Sequence, residues 1–172
     1  MFAVGDTVVY PQHGAGRILD LVTQEFQGEQ REYFLIRIIH NDMTVQVPVD
    51  GLEKAGIRAV MDDEMVAQVL GVLRDDATHM PVNWNRRVRH NTDKIKTGDI
   101  LEIADVVRNL AIREHERGLS TGEKQMFAKV RRILASEIMC VKGMPEDDAL
   151  SFLDGILKEV CVNGQSLDGN GR

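Results

Sequence analysis

The hydrophobic period of this chain changes once, and that change limits what it can fold into. Up to about residue 60, apolar residues come in short β-branched or aromatic runs broken by turn residues; from Asp62 onward they recur every three or four positions. A period of two and a period of 3.6 cannot describe one kind of element, so a β part is followed by a helical part. The 172 residues, 43% hydrophobic and 28% charged, are enough for two small cores.

Val4-Gly5-Asp6-Thr7-Val8-Val9-Tyr10 ends in strand formers, and Pro11-Gln12-His13-Gly14-Ala15-Gly16 breaks them into a turn. Residues 17–22 read as a second strand, Gln27-Gly28-Glu29-Gln30 as a turn, and residues 33–39 as a central strand reversed by His40-Asn41-Asp42. Residues 43–49 alternate, but Pro48 has no N–H for a ladder, which favours an edge. Short strands joined by tight turns predict a strongly bent antiparallel barrel of the SH3 or Tudor kind. Its edge, Met43, Thr44, Val45, Gln46 and Val47, is either a place for a partner's strand to pair or an edge blunted by Pro48 and otherwise idle.

In the helical part, Met65, Val66, Val69, Leu70 and Leu73 form a first stripe behind acidic residues that suit a helix start. This helix is expected to connect the two parts, with a polar linker over 74–81 that ends in proline. Gly98 can end a helix begun after Asn83, and Asp99 can cap the next, whose stripe is Ile100, Ile103, Val107, Leu110 and Ala111. Ser120-Thr121-Gly122-Glu123 has capping-box spacing ahead of Met126, Phe127, Val130, Ile133, Leu134 and Ile138. Pro145 suits the first turn of a last helix carrying Ala149, Phe152, Leu153, Ile156, Leu157 and Val160. The expected fold is α+β: a small β-barrel domain over 1–60, a connecting helix and linker over 61–80, a compact all-α domain over 81–162, and a disordered tail over 163–172.

A formal charge of -6 and a pI near 5.4 exclude a protein that coats DNA by charge alone. Positive charge is local, around residues 86–96 and 124–132, as suits weak DNA contact assisted by a protein partner. No cationic stretch leads into an apolar run after Met1, so a cytoplasmic, membrane-free protein is expected; nothing suggests a coiled coil or symmetric dimer, so a monomer is expected. Cys140 and Cys161 are isolated, and the five histidines lack metal spacing, so neither a metal nor a cofactor is expected. His13-Gly14-Ala15-Gly16 precedes a strand, where a phosphate loop needs a helix N-terminus. Glu114, His115 and Glu116 point in different directions on a helix, so no catalytic set converges and no enzyme is expected.

The remaining feature is Pro81-Val82-Asn83-Trp84-Asn85-Arg86-Arg87-Val88-Arg89-His90-Asn91, which combines the sole tryptophan with dense positive charge. As a helix it sets Arg86, Arg89 and His90 on one side, Arg87 and Lys94 on an adjacent one, and Val88 and Ile95 opposite. An aromatic wedge beside phosphate-binding cations fits distorted or melted DNA; a core tryptophan beside a solvated basic face fits the same residues.

Val4-Gly5-Asp6-Thr7-Val8-Val9-Tyr10-Pro11 with His13-Gly14, the Gly28-Glu29-Gln30 turn, Asn83-Trp84-Asn85-Arg86-Arg87, and Glu116-Arg117-Gly118-Leu119-Ser120 with Gly122-Glu123-Lys124 together resemble the CarD/CdnL transcription regulators of bacteria. The resemblance runs over about residues 2–141 and rests on the order and spacing of the blocks. It implies a Tudor-like domain that binds the β-subunit lobe of RNA polymerase, and a helical domain that touches promoter DNA at the upstream edge of the transcription bubble. Trp84 would wedge into the minor groove there, with Arg86, Arg87, Arg89 and Lys124 on the DNA and Gln24, Phe26, Met43, Thr44, Val45, Gln46 and Val47 toward polymerase. Some relatives carry arginine at the positions of Gln24 and Gln46, and glutamine cannot make those charged pairs. Either strand pairing dominates, with Phe26 adding apolar contact, or polymerase is held more weakly. The other reading is an interaction module that docks on a protein without touching DNA.

Overall fold

The computed structural model describes residues 1–163. Among them, β1 (Thr7–Tyr10), β2 (Gly14–Phe26), β3 (Glu29–Ile38), β4 (Thr44–Pro48) and β5 (Arg58–Ala59) form one antiparallel sheet in the order β4-β3-β2-β1-β5. Gln27 and Gly28, at φ 53° and 83°, make a two-residue hairpin turn with Phe26 opposite Glu29. That turn is tighter than the four residues expected, and it keeps β2 and β3 paired to the tip, so both strands outrun their expected lengths. The pairing register shifts between Ile18 and Asp20, leaving Leu19 as the bulged residue. Ile18 faces inward with Val8, Phe34, Ile36, Ile38, Val47 and Ile57, while on β2 from the bulge to the hairpin tip Leu19, Leu21 and Phe26 are exposed. β4 pairs with β3 alone and β5 with β1 alone, so the sheet is open and β4 has a free edge.

Five helices follow among the described residues: α1 (Asp63–Arg74), α2 (Trp84–Lys96), α3 (Ile100–Glu116), α4 (Thr121–Lys142) and α5 (Glu146–Asn163). Four begin at a side chain that accepts an otherwise unpaired backbone N–H: Asp62 from Met65, Asn83 from Arg86, Asp99 from Leu101 and Ser120 from Glu123. Their apolar stripes close on one core, in which Ile103, Val107 and Leu110 of α3 meet Val130, Leu134 and Ile138 of α4 and Leu153, Ile156 and Leu157 of α5. Burying each such side chain contributes about 1.5–3 kcal/mol. α1, expected as a connector, also buries Val66, Val69 and Leu73 in the same core. The tail expected over 163–172 lies, past Asn163, outside the described residues.

The sheet is held against α4. Ser136 accepts the N–H of Ala15 at 3.0 Å and donates to the carbonyl of Ile133 at 2.6 Å. Gly14 has φ 90°, and a Cβ there would lie 2.7 Å from the Ser136 hydroxyl. Both facts call for glycine at this approach.

Candidate functional site

α2 opens with Asn83 accepting the Arg86 N–H at 3.1 Å, and its first turn carries no acidic residue. Trp84 is the first helical residue and is 49% exposed. Its indole N–H donates to the Ser120 hydroxyl at 3.0 Å. Ser120 is the N-cap of α4, so this bond joins the N-termini of two helices, where their dipoles favour negative charge. No local pattern announces that meeting; the capping box marks where α4 starts and says nothing about its neighbour.

Through Ser120 the ring is linked to a buried ion pair. The Arg87 Nε donates to one oxygen of Glu123 at 2.8 Å and Nη2 to the other at 3.0 Å, while Nη1 donates to the carbonyls of Val82 at 2.8 Å and Pro81 at 3.4 Å. Glu123 also accepts the Ser120 hydroxyl at 3.1 Å. The Arg87 hydrogen bonds hold the Glu123 carboxyl below its usual range against the opposing effect of burial, and Glu123 raises Arg87 in turn. Close by, burial and then the charge of Arg87 push the Arg113 guanidinium down, and its Nε has no partner among the described residues.

Arg87 therefore departs from its expected place among the DNA-facing cations. It is 4% exposed, and a phosphate could reach it only by breaking the pair with Glu123. The face of α2 turned inward is Arg87, Asn91 and Ile95, while Val88 is half-buried. An apolar stripe could not reveal this, because the partner that draws Arg87 inward is a carboxylate 36 positions away. Arg86, Arg89 and Lys124 are exposed, and none has an ion-pair partner among the described residues. Arg86 and Arg89 follow Trp84 along α2, and Lys124 is one turn into α4 from Ser120.

The second group of candidate residues lies on the sheet. Gln24 sits opposite Arg31, Gln46 opposite Leu35 and Thr44 opposite Arg37, and Gln24, Gln46 and Thr44 are exposed. Met43 and Phe26 are exposed, and Arg31 lies 5.5 Å from the centre of the Phe26 ring. Val45 is half-buried and Val47 buried, so at these two positions the strand's backbone edge, rather than the side chain, faces outward. Arg31 was not among the expected contacts; counting across a two-residue turn at Gln27 and Gly28 would have set it opposite Gln24.

The family described as "CarD-like/TRCF RID domain" matches residues 2–61, and the one described as "CarD, C-terminal domain" matches residues 68–154. The chain belongs to the CarD/CdnL family. A curated relative, "Putative transcription factor YdeB" of Bacillus subtilis (strain 168), is 37% identical over 152 residues, covering 88% of this chain and 99% of its own. The solution NMR structure of the 72-residue N-terminal domain of Myxococcus xanthus CarD is 30% identical over 34% of this chain and 79% of that one, with a TM-score of 0.31. Membership makes this CarD-family chain a transcription regulator with an N-terminal Tudor-like domain and a helical C-terminal domain. Among the described residues, no helix is long and apolar enough to cross a membrane.

Proposed function

We propose that this chain binds the β-subunit lobe of RNA polymerase and stabilises the promoter open complex. Docking uses the free edge of β4, where the backbone from Met43 to Val47 can pair with a partner strand, flanked by Gln24, Phe26 and Arg31. Arg31, 3.7 Å from the Glu29 carboxylate, supplies a cation opposite Gln24 on the face where Gln24 and Gln46 have none. Trp84 then enters the minor groove at the upstream edge of the bubble, and Arg86, Arg89 and Lys124 neutralise phosphates. The inserted ring replaces part of the stacking lost on melting, and the cations hold the backbone without reading sequence. The effect is thermodynamic, and the chain acts as a cytoplasmic monomer without catalysing a reaction.

The observation that carries this reading is the Trp84 ring, half exposed yet tethered through its N–H to the meeting point of two helix N-termini. Trp84→Ala should leave polymerase binding unchanged and shorten the open-complex lifetime after competitor challenge by about tenfold. An unchanged lifetime would overturn it. The net charge of -6 favours a second reading, a polymerase-docking module that never touches DNA. A crosslinking map of the promoter complex with no DNA contact near Trp84 would select that one.

A further inference from the structure

The geometry points to Glu123 as the positioning residue for the Trp84 ring, acting through Ser120 on one side and Arg87 on the other. This deepens the wedge reading and rests on it. Through Oε1, Glu123 accepts the Ser120 hydroxyl hydrogen at 3.1 Å. That leaves the hydroxyl's two lone pairs for the Trp84 indole N–H at 3.0 Å and the Glu123 backbone N–H at 3.2 Å. A hydroxyl offers one donor and two acceptor sites, so all its capacity is used, and the ring cannot turn without breaking the set.

The second path sets the backbone. Both oxygens of Glu123 fix Arg87, whose remaining nitrogen reaches the carbonyls of Pro81 and Val82, the residues leading into Asn83 and Trp84. The approach of the chain and the tilt of the ring thus trace to one carboxylate, itself 1% exposed. Stability alone is a poor explanation for such a pair, because a buried ion pair is often no more stabilising than apolar residues of the same volume. Holding a large aromatic ring at one angle in water is a task the apolar core cannot perform. With its N–H given to Ser120, the indole also has no donor left for a base edge, so it offers DNA only its faces and carbon edge, which suits contact tolerant of sequence.

The chain has one tryptophan, so its fluorescence reports on this ring alone. Time-resolved anisotropy of the full chain should show a fast component in Ser120→Ala and Glu123→Gln that wild type lacks, and Ser120→Thr should remove it. In open-complex assays Ser120→Ala should shorten the lifetime about threefold, with polymerase binding intact. Should Glu123→Gln fail to fold, the Ser120 pair carries the test. A folded Ser120→Ala protein with unchanged anisotropy overturns the inference. So does a loosened ring with an unchanged lifetime, if Trp84→Ala still shortens it. If Trp84→Ala itself has no effect on lifetime, the DNA reading fails, and ring positioning stands or falls on the anisotropy.

Discussion

Arg58 on β5 donates from both terminal nitrogens to the two oxygens of Glu137 on α4, at 3.2 and 2.7 Å. The Glu137 side chain is fully buried, so the pair fastens the last strand of the sheet to the helical core through a charge that has no contact with water. Arg58→Ala would strand that carboxylate and should cost about 3 kcal/mol of stability, whereas Arg58→Lys should cost less because it keeps the charge. Urea unfolding measures both. An alanine variant with the wild-type midpoint would mean the bridge does not couple the sheet to the bundle.

Arg86 and Arg87 are neighbours with different expected effects. Arg87→Ala leaves Glu123 buried without its partner and should destabilise the fold by about 3–5 kcal/mol. Arg86→Ala removes an exposed cation and should leave stability within about 0.5 kcal/mol. On promoter complexes Arg86→Ala should instead reduce the salt dependence of the chain's stabilising effect. Equal thermal stability in the two variants would contradict the burial of Arg87.

Acid should weaken the fold through two carboxylates. Arg87 brings Glu123 below its ordinary 4.5 despite burial; for Asp105, burial pulls upward, and Lys94, Arg108 and Thr78 together bring it below its ordinary 3.8. A carboxyl whose folded value is depressed favours the fold when ionised. Its contribution is therefore complete above the ordinary value and is lost as pH falls through the folded one. Burial also holds the His13 and His40 imidazoles below their ordinary 6.5. Urea midpoints should therefore decline gently as pH drops below that value, and more steeply below about pH 4, where the two carboxylates protonate. Glu123→Gln should fall less steeply over the acid range, and parallel curves would remove Glu123 from this account.

On the sheet, Arg31→Glu should weaken polymerase binding by reversing the charge opposite Gln24, while Arg31→Lys should retain most of it. The loss should shrink as salt rises, because exposed charges are screened. Surface plasmon resonance at two ionic strengths checks this. Binding by Arg31→Glu that matches wild type would leave the β4 backbone edge as the whole of the docking surface.

Much of the fold was legible because its signals are local. Asp62, Asn83, Asp99 and Ser120 each satisfy an N–H two or three residues ahead, so the helix starts could be read from neighbouring letters. The apolar stripes of α3, α4 and α5 and the edge placement of the strand with Pro48 were equally readable. The hairpin's reach was not, since it depends on Gln27 adopting a positive φ that glutamine rarely takes.

Among the described residues, the sequence by itself determined four of the five strands, the five helices and where those helices start, and that one tryptophan sits beside a concentration of positive charge. The short β5, which lies beside β1 only after folding, was not legible. Only the tertiary structure decided that Arg87 belongs to the interior and that the indole N–H belongs to Ser120. Both partners lie 36 positions away along the chain. Periodicity reports how a residue faces its own helix, but a charged side chain follows the nearest opposite charge that folding brings to it, and that charge comes from another helix.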